Sequence, residues 1–306
     1  MKVLMIPHLD TIRDRRESGI NRVVAEYFHY LPAFGIEMVG RDAEYDIKVS
    51  HAGSNDKGDW PDVAHNHGLY WTSDHNAPRW EYKANRDVID AVRHASQVTV
   101  PSHWVAEAFQ RDMRFTPHVI PHGIRAEEWR HNYETGGYIL WNKNRRTVTC
   151  DPIAVSELAV AHPDQVFVTT FANDNSPDNV NVIGVAPHAD MKRLVQGSAV
   201  YLSTVKETFG IGVLEAMAAG IPVLGWAHGG NLDLVQHGVN GYLAQVNNYD
   251  DLIDGLTYCL ANRKTLGDNG RELAKDWTWE AVAEKVADAI PARDVLDAWV
   301  KEKVSG

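Results

Sequence analysis

Residues Ala199–Leu224 read AVYLSTVKETFGIGVLEAMAAGIPVL. The run Ala199–Ser203 is short and apolar, as a buried parallel strand is. Lys206–Gly212 carries two glycines and breaks that pattern. Leu214, Met217 and Ala218 then recur at helical spacing. Gly220 followed by Pro222 ends the helix, and Val223-Leu224 begins another strand. The stretch predicts strand, loop, helix and strand in that order.

Two carboxylates punctuate this unit. Glu207 lies in the loop and Glu215 eight residues later, just inside the helix. Between them, Thr208–Gly212 set backbone N–H groups at a helix N-terminus, where an anion such as a diphosphate is favoured. The glycines let the main chain approach such a group closely. A carboxylate on each side of an anion hole suits a ligand with hydroxyls on both sides of its phosphates, and a nucleotide-sugar is such a ligand. By spacing alone, the same two residues also fit a solvated loop glutamate and a helix-dipole partner.

The length of 306 residues suggests two domains. A composition of 44% hydrophobic and 23% charged residues is that of an ordinary globular protein. No uninterrupted apolar stretch reaches the length of a membrane span. Met1–Pro7 is too short for a signal-peptide core and reads as a first buried strand. The only two cysteines, Cys150 and Cys259, are far apart and form no ligand motif, which fits a reducing cytoplasm. A net charge of −11 argues against nucleic acid or an anionic membrane as a generic partner. Two basic clusters stand against that charge: Arg13, Arg15 and Arg16 near Arg22, and Lys143, Arg145 and Arg146. A solvated face is the commoner fate of such clusters.

Strand and helix patterns alternate along the chain, which predicts parallel sheets. Lys2–Ile6 is a strand, and Gly19-Ile-Asn-Arg opens a helix with Ile20, Val23, Val24, Tyr27 and Leu31 on one face. Tyr45–Ser50 and Asp62–His67 read as strands, so His51 and His67 fall at carboxyl ends, where open α/β sheets bind ligands. Helices follow at 82–95 and from Pro101-Ser102 to about Met113. Glu127–Gly137 is polar and reads as the linker. Tyr138–Trp141 starts a second set of strands and helices, with a short helical piece expected at Arg271–Lys275. Residues from Trp277 open a terminal helix.

Glu207-Thr-Phe-Gly-Ile-Gly-Val-Leu-Glu215, followed by Ala-Met-Ala-Ala-Gly-Ile-Pro-Val, Gly229-Gly230 and His237-Gly-Val-Asn-Gly241, resembles the Glu-x7-Glu signature of retaining GT-B glycosyltransferases (glycosyl transferases group 1). The resemblance covers nearly the whole chain. It is strongest at Val180–Leu243 and thinnest in the first 95 residues. It implies a GT-B fold: two Rossmann-like α/β domains with parallel sheets facing across a cleft. Residues 1–130 would form the acceptor-side domain and 131–279 the nucleotide-sugar domain, with the terminal helix at 280–306 packing back on the first.

The resemblance also assigns roles. Glu207 would accept hydrogen bonds from donor-sugar hydroxyls. Phe209, Gly210 and Ile211 would offer backbone N–H groups to the sugar or diphosphate. Glu215 would hold the ribose hydroxyls, and Gly19 would lie against the phosphates. Lys143 stands where the family places a basic residue that neutralises the leaving diphosphate. The family's usual arginine–lysine spacing is absent, so Lys143, Arg145 and Arg146 all remain candidates. Some cation is required, because charge builds on the departing phosphate oxygen. His67-Gly68 resembles the family's histidine that touches the donor sugar; a strand-end histidine bonded to backbone is the alternative.

His65 and His67 also invite a metal reading, but no third ligand stands at a diagnostic spacing. With no Asp-x-Asp in the chain, a metal-bound diphosphate is not supported. The expectation is therefore no cofactor and no metal, with a UDP-sugar or GDP-sugar as donor substrate. The acceptor is left open among a glycan, a small molecule, a lipid-linked sugar, a protein and a modified nucleobase. The competing readings are a GT-B sugar-nucleotide epimerase and an inactive or partner-subunit binder of nucleotide-sugars.

Overall fold

A computed structural model of the chain describes residues 1–8, 19–53, 60–68, 71–75, 79–130 and 137–290. Arg13, Arg15 and Arg16, most of the expected linker (131–136) and positions 291–306 of the expected terminal helix lie outside the described residues. The chain divides into two units: Met1–Gly123 together with the chain from Trp279 onward, and Ile124–Thr278.

In the first unit, β1 (Lys2–Ile6), α1 (Gly19–Tyr30), β2 (Glu37–Val39), β3 (Ile47–His51), β4 (Val63–His65), α2 (Arg79–His94), β5 (Gln97–Val100), α3 (His103–Met113) and β6 (His118–Val119) follow in order. The strands form a parallel sheet of order β2-β1-β3-β4-β5-β6. β3 and β4 are buried at every position, as strands covered on both faces by helices must be. Ser102 caps α3 by accepting the Val105 N–H.

The second unit contains β7 (Tyr138–Trp141), α4 (Ile153–Ala161), β8 (Val166–Thr169), β9 (Val180–Val182), α5 (His188–Gly197), β10 (Val200–Ser203), α6 (Ile211–Ala219), β11 (Val223–Trp226), α7 (Asn231–Leu234), β12 (Gly241–Ala244), α8 (Tyr249–Ala261) and α9 (Arg263–Leu273). Its sheet is also parallel, of order β12-β11-β10-β7-β8-β9. One core layer gathers Trp141, Leu158, Phe167, Leu202 and Leu256; the other gathers Leu140, Tyr201, Leu214, Met217 and Val223. The terminal helix α10 (Trp279–Ala289) belongs to the first unit, where Trp279 meets the Tyr27 ring edge-on at 6.1 Å. Gly123 permits this, since a Cβ there would come within 2.8 Å of the Trp279 backbone.

α6 forms where the sequence predicts it. It is buried from Val213 to Ala219, so it is apolar almost all round rather than striped. Gly220 closes it at φ +76°, in the left-handed region, and its N–H donates to the carbonyls of Ala216 and Met217.

Two expectations differ from the structure. The division falls at 123/124 and 278/279, not at 130/131 and 279/280. Ile124 donates its N–H to the Trp277 carbonyl at 2.7 Å, and Ile124 and Trp129 are buried in the second unit's core. The polar residues around Trp129 disguised that anchor as linker. The short helical piece expected at Arg271–Lys275 is the end of the longer helix α9. Gly267 and Gly270 hid it, because glycine is a poor helix former. Gly267 is set against the Gly220 carbonyl, where a Cβ would come within 2.1 Å.

Both cysteines are buried and unpaired. Burial pushes the Cys259 thiol up to about 12, although a backbone hydrogen bond from Tyr242 works in the opposite direction. A thiol-disulfide reagent at pH 8 should therefore modify the native chain far more slowly than the unfolded chain, in which both cysteines react. Rapid modification of the native chain would contradict this packing.

Candidate functional site

In an open α/β sheet, ligands bind beyond the carboxyl ends of the strands, where the strand order reverses. In the second unit that point lies between β7 and β10. Lys143 follows β7 and Glu207 follows β10, so the reversal brings their side chains together. Lys143 Nζ donates to Glu207 Oε1 at 2.9 Å and to Tyr201 Oη at 3.4 Å. The Lys143 backbone N–H donates to Thr170 Oγ1 at 2.8 Å, which holds the turn after β7. The lysine side chain is 8% exposed and the glutamate 31%.

Burial alone would pull the Lys143 ammonium down. The Glu207 carboxylate and the Tyr201 hydroxyl reverse this and hold it well above the ordinary lysine range. The tyrosine is pushed up to about 12, chiefly by burial; Lys143 opposes the rise while Glu207 and Glu215 add to it. Lys143 is thus a fixed cation at neutral pH. Tyr201 connects it to α6: a Cβ on Gly212, in the first turn, would come within 2.2 Å of the tyrosine hydroxyl.

The loop carrying Glu207 is held by backbone contact. Gly230 N–H donates to the Glu207 carbonyl at 3.0 Å. A Cβ at Gly229 would come within 2.1 Å of that oxygen, and one at Gly230 within 1.9 Å of the Phe209 carbonyl. Asn231 secures the same corner, donating from Nδ2 to the carbonyls of Ser203 and Trp226 while Oδ1 accepts from the Ser203 hydroxyl.

The other expected residues of this unit divide clearly. Phe209 is buried, with its ring 5.8 Å from that of Trp277. Gly210 precedes α6 at φ +99°, a conformation suited to glycine, and Ile211 is the first helical residue. Their amides belong to the first turn, which a helix leaves without intrahelical acceptors. Glu215 sits on α6, buried and close enough to Tyr201 to influence its hydroxyl. Arg146 donates to the Ala172 carbonyl and to Asn173 Oδ1, and Arg145 is exposed. Of the three basic candidates, Lys143 is the one paired with Glu207.

Gly19 and His67 belong to the first unit. Gly19 opens α1. His67, just past β4, meets a neighbouring side chain: its Nε2 lies 2.6 Å from His51 Nδ1. His65 and His122 complete a cluster, with ring centroids 4.5 Å and 5.3 Å from that of His67. Burial foremost, then the neighbouring imidazoles, hold His51 and His67 well below the usual histidine range. Burial brings His65 down to about 3, and burial with His65 brings His122 down to about 3. All four are neutral at pH 7.

Sequence reasoning missed Tyr201, Thr170, Thr99 and His122. Tyr201 was visible only as a strand residue, and nothing local to it indicates Lys143. His51 was placed at a strand end, but its approach to His67 depends on β3 and β4 being neighbours.

Residues 167–293 match the family model of Glycosyl transferases group 1. An uncharacterized glycosyltransferase of Methanocaldococcus jannaschii is 31% identical over 117 residues, covering 37% of this chain and 33% of the relative. The match thus spans about a third of that relative's length. Sucrose-phosphate synthase from Thermosynechococcus elongatus has the same fold, with a TM-score of 0.72 at 16% identity over 94% of this chain and 98% of that one. Anabaena HepE, solved with UDP and glucose, has a TM-score of 0.67 at 16% identity, covering 94% and 98%. These likenesses establish a GT-B fold of two parallel-sheet Rossmann-like halves. Among the described residues, no helix is long and apolar enough to cross a membrane.

Gly230→Ala should destabilise the second unit by about 1–3 kcal/mol, because the added methyl must displace the Phe209 backbone. A denaturant midpoint equal to that of the unaltered chain would contradict this account of the loop.

Proposed function

We propose that this protein, whose residues 167–293 carry the glycosyl transferases group 1 domain, transfers a sugar from a nucleotide-diphosphate sugar to an acceptor hydroxyl. The transfer retains the anomeric configuration and uses no metal at the diphosphate. The observation that carries this reading is the Lys143–Glu207 pair at the strand-order reversal, beside the first turn of α6.

Each group has a chemical task. The chain entering α6, through the backbone of Phe209, Gly210 and Ile211, offers N–H groups to the sugar or diphosphate. Glu215 takes the ribose hydroxyls, and Glu207 accepts from the sugar hydroxyls. Gly19 approaches the phosphates, and His67 touches the donor sugar. Lys143 stays protonated and meets the negative charge that grows on the departing phosphate oxygen. The acceptor hydroxyl attacks the anomeric carbon from the face the diphosphate leaves. The carbon–phosphate-oxygen bond breaks as the new glycosidic bond forms, and the leaving phosphate takes the acceptor's proton. Glu207 and Glu215 bracket an anion site instead of flanking a scissile bond, so they bind and do not act as a hydrolase pair.

A UDP-sugar suits the likeness to HepE, whose structure holds UDP and glucose, and GDP-sugars remain within the same chemistry. Buried, unpaired cysteines accord with a cytoplasmic setting.

A thermal-shift panel of UDP-, GDP-, ADP- and TDP-sugars should raise the unfolding midpoint with one nucleotide class. The stabilisation should be about 2.7 kcal/mol at a ligand concentration of a hundred times Kd, and Glu215→Ala should abolish it. A panel without any shift would remove the support for this reading. With the donor identified, Lys143→Ala should lower kcat by roughly 10²–10³-fold while nucleotide binding persists, which is the usual scale for losing one such charge-stabilising group. An unchanged kcat in Lys143→Ala would refute the assignment of that cation.

A further inference from the structure

Three buried histidines of the first unit, His51, His65 and His122, and the half-buried His67 play no combined part in sugar transfer. The parallel register pairs His51 with His65 across β3 and β4, and His65 with Thr99 across β4 and β5. The three residues therefore form a row on one face of the sheet, at its carboxyl end. His67 lies two residues beyond His65, and His122 follows β6. One ring nitrogen from each of His51, His65 and His67 lies within 4.8 Å of the other two.

The hydrogen bonding of this cluster is incomplete. His51 Nδ1 faces His67 Nε2, and His65 Nδ1 is bonded to the Thr99 hydroxyl. The second nitrogens, Nε2 of His51 and Nε2 of His65, are buried and have no hydrogen-bond partner. His51 is completely buried and His65 is 3% exposed. Leaving a buried polar atom unsatisfied is costly, and two such atoms in one cluster of imidazoles point to a missing partner. In the tautomers in which these two nitrogens carry lone pairs, a cation is the partner that serves several neutral rings at once.

We infer that His51, His65 and His67 bind one divalent transition-metal ion of the zinc class. Imidazole nitrogen is a preferred ligand for such ions. Zinc–nitrogen bonds of about 2.0–2.1 Å in a tetrahedron place ligand nitrogens roughly 3.3 Å apart, a spacing that three nitrogens already within 4.8 Å of one another can reach by small ring movements. Thr99 holds the far side of the His65 ring, as the partners of metal-binding histidines do. His122, stacked beside His67, steadies that ring. The rings lose no protons on binding, because burial already keeps them neutral.

The ion ties the carboxyl ends of β3 and β4 together. It lies wholly within the first unit and leaves diphosphate neutralisation to Lys143. The test of the site rests on His51 and His65, which the proposed transfer does not use.

The experiment uses the full chain without an affinity tag, stripped with a chelator and then supplied with Co²⁺ or Zn²⁺ at pH 7.5. One equivalent of Zn²⁺ should remain after desalting, and Co²⁺ should give the intense visible absorption of a low-coordinate site. His51→Gln and His65→Gln should each weaken Zn²⁺ binding by roughly 100-fold or more, an effect at or beyond the upper end of that seen for supporting residues. His118→Gln, at an exposed histidine on β6, should not change it. Absence of bound metal in the stripped and resupplied chain would overturn the inference, as would equal loss in His118→Gln. If the His51 and His65 variants do not fold, the Co²⁺ spectrum of the unaltered chain decides between the two outcomes.

Discussion

The carbonyl groups of Glu207 and Phe209 rest against Gly229 and Gly230 at separations that leave no room for a Cβ. This main-chain contact sets the path of the loop after β10, and the rest of the candidate site follows from it. Asn231 continues the same corner by bonding to the ends of β10 and β11. With the loop so held, Glu207 projects to the end of β7 and finds Lys143. The pair is then a consequence of sheet order, because β7 and β10 are adjacent only where the chain reverses direction across the sheet.

The electrostatics of the pair are set by its surroundings. A lysine as buried as Lys143 would tend to lose its proton, and the carboxylate at 2.9 Å prevents this. A partly exposed carboxylate can exchange its partner for a ligand's hydroxyls, while the buried ammonium stays in place to meet an anion. Backbone amides at the α6 start add partial positive charge that is fixed before any ligand arrives. Preorganisation of this kind requires little rearrangement during a reaction.

The first unit places a different chemistry at the same end of its sheet. Its order also reverses, beside β1 and β3, and His51 stands at that point. Here the neighbours are other imidazoles rather than a carboxylate. Burial and mutual repulsion both disfavour the charged form, so the cluster stays neutral. Two sheets built from similar crossovers thus differ in what they present: a retained cation in one unit, a group of uncharged nitrogen ligands in the other.

The segment Ala199–Leu224 was legible because its signals are local. A short apolar run, helical spacing and a glycine–proline stop depend on neighbouring residues alone, and the structure repeats them as β10, α6 and β11. Glu207 and Glu215 could be picked out for the same reason. The glycines of α9 misled, since Gly267 is required by the approach of Gly220, a residue distant in sequence. The boundary at 123/124 was hidden because Trp129 is buried by residues far along the chain. Lys143 could not be separated from Arg145 and Arg146 by spacing, since only the adjacency of β7 and β10 distinguishes it. Likewise His51, His65 and His67 meet through strand register and not through any motif. Sequence by itself determined the alternating elements, the parallel class and the candidate carboxylates, all matters of local periodicity and backbone preference. Tertiary structure alone decided which cation meets Glu207 and which histidines share a pocket, because burial and strand pairing join residues that the linear order keeps apart.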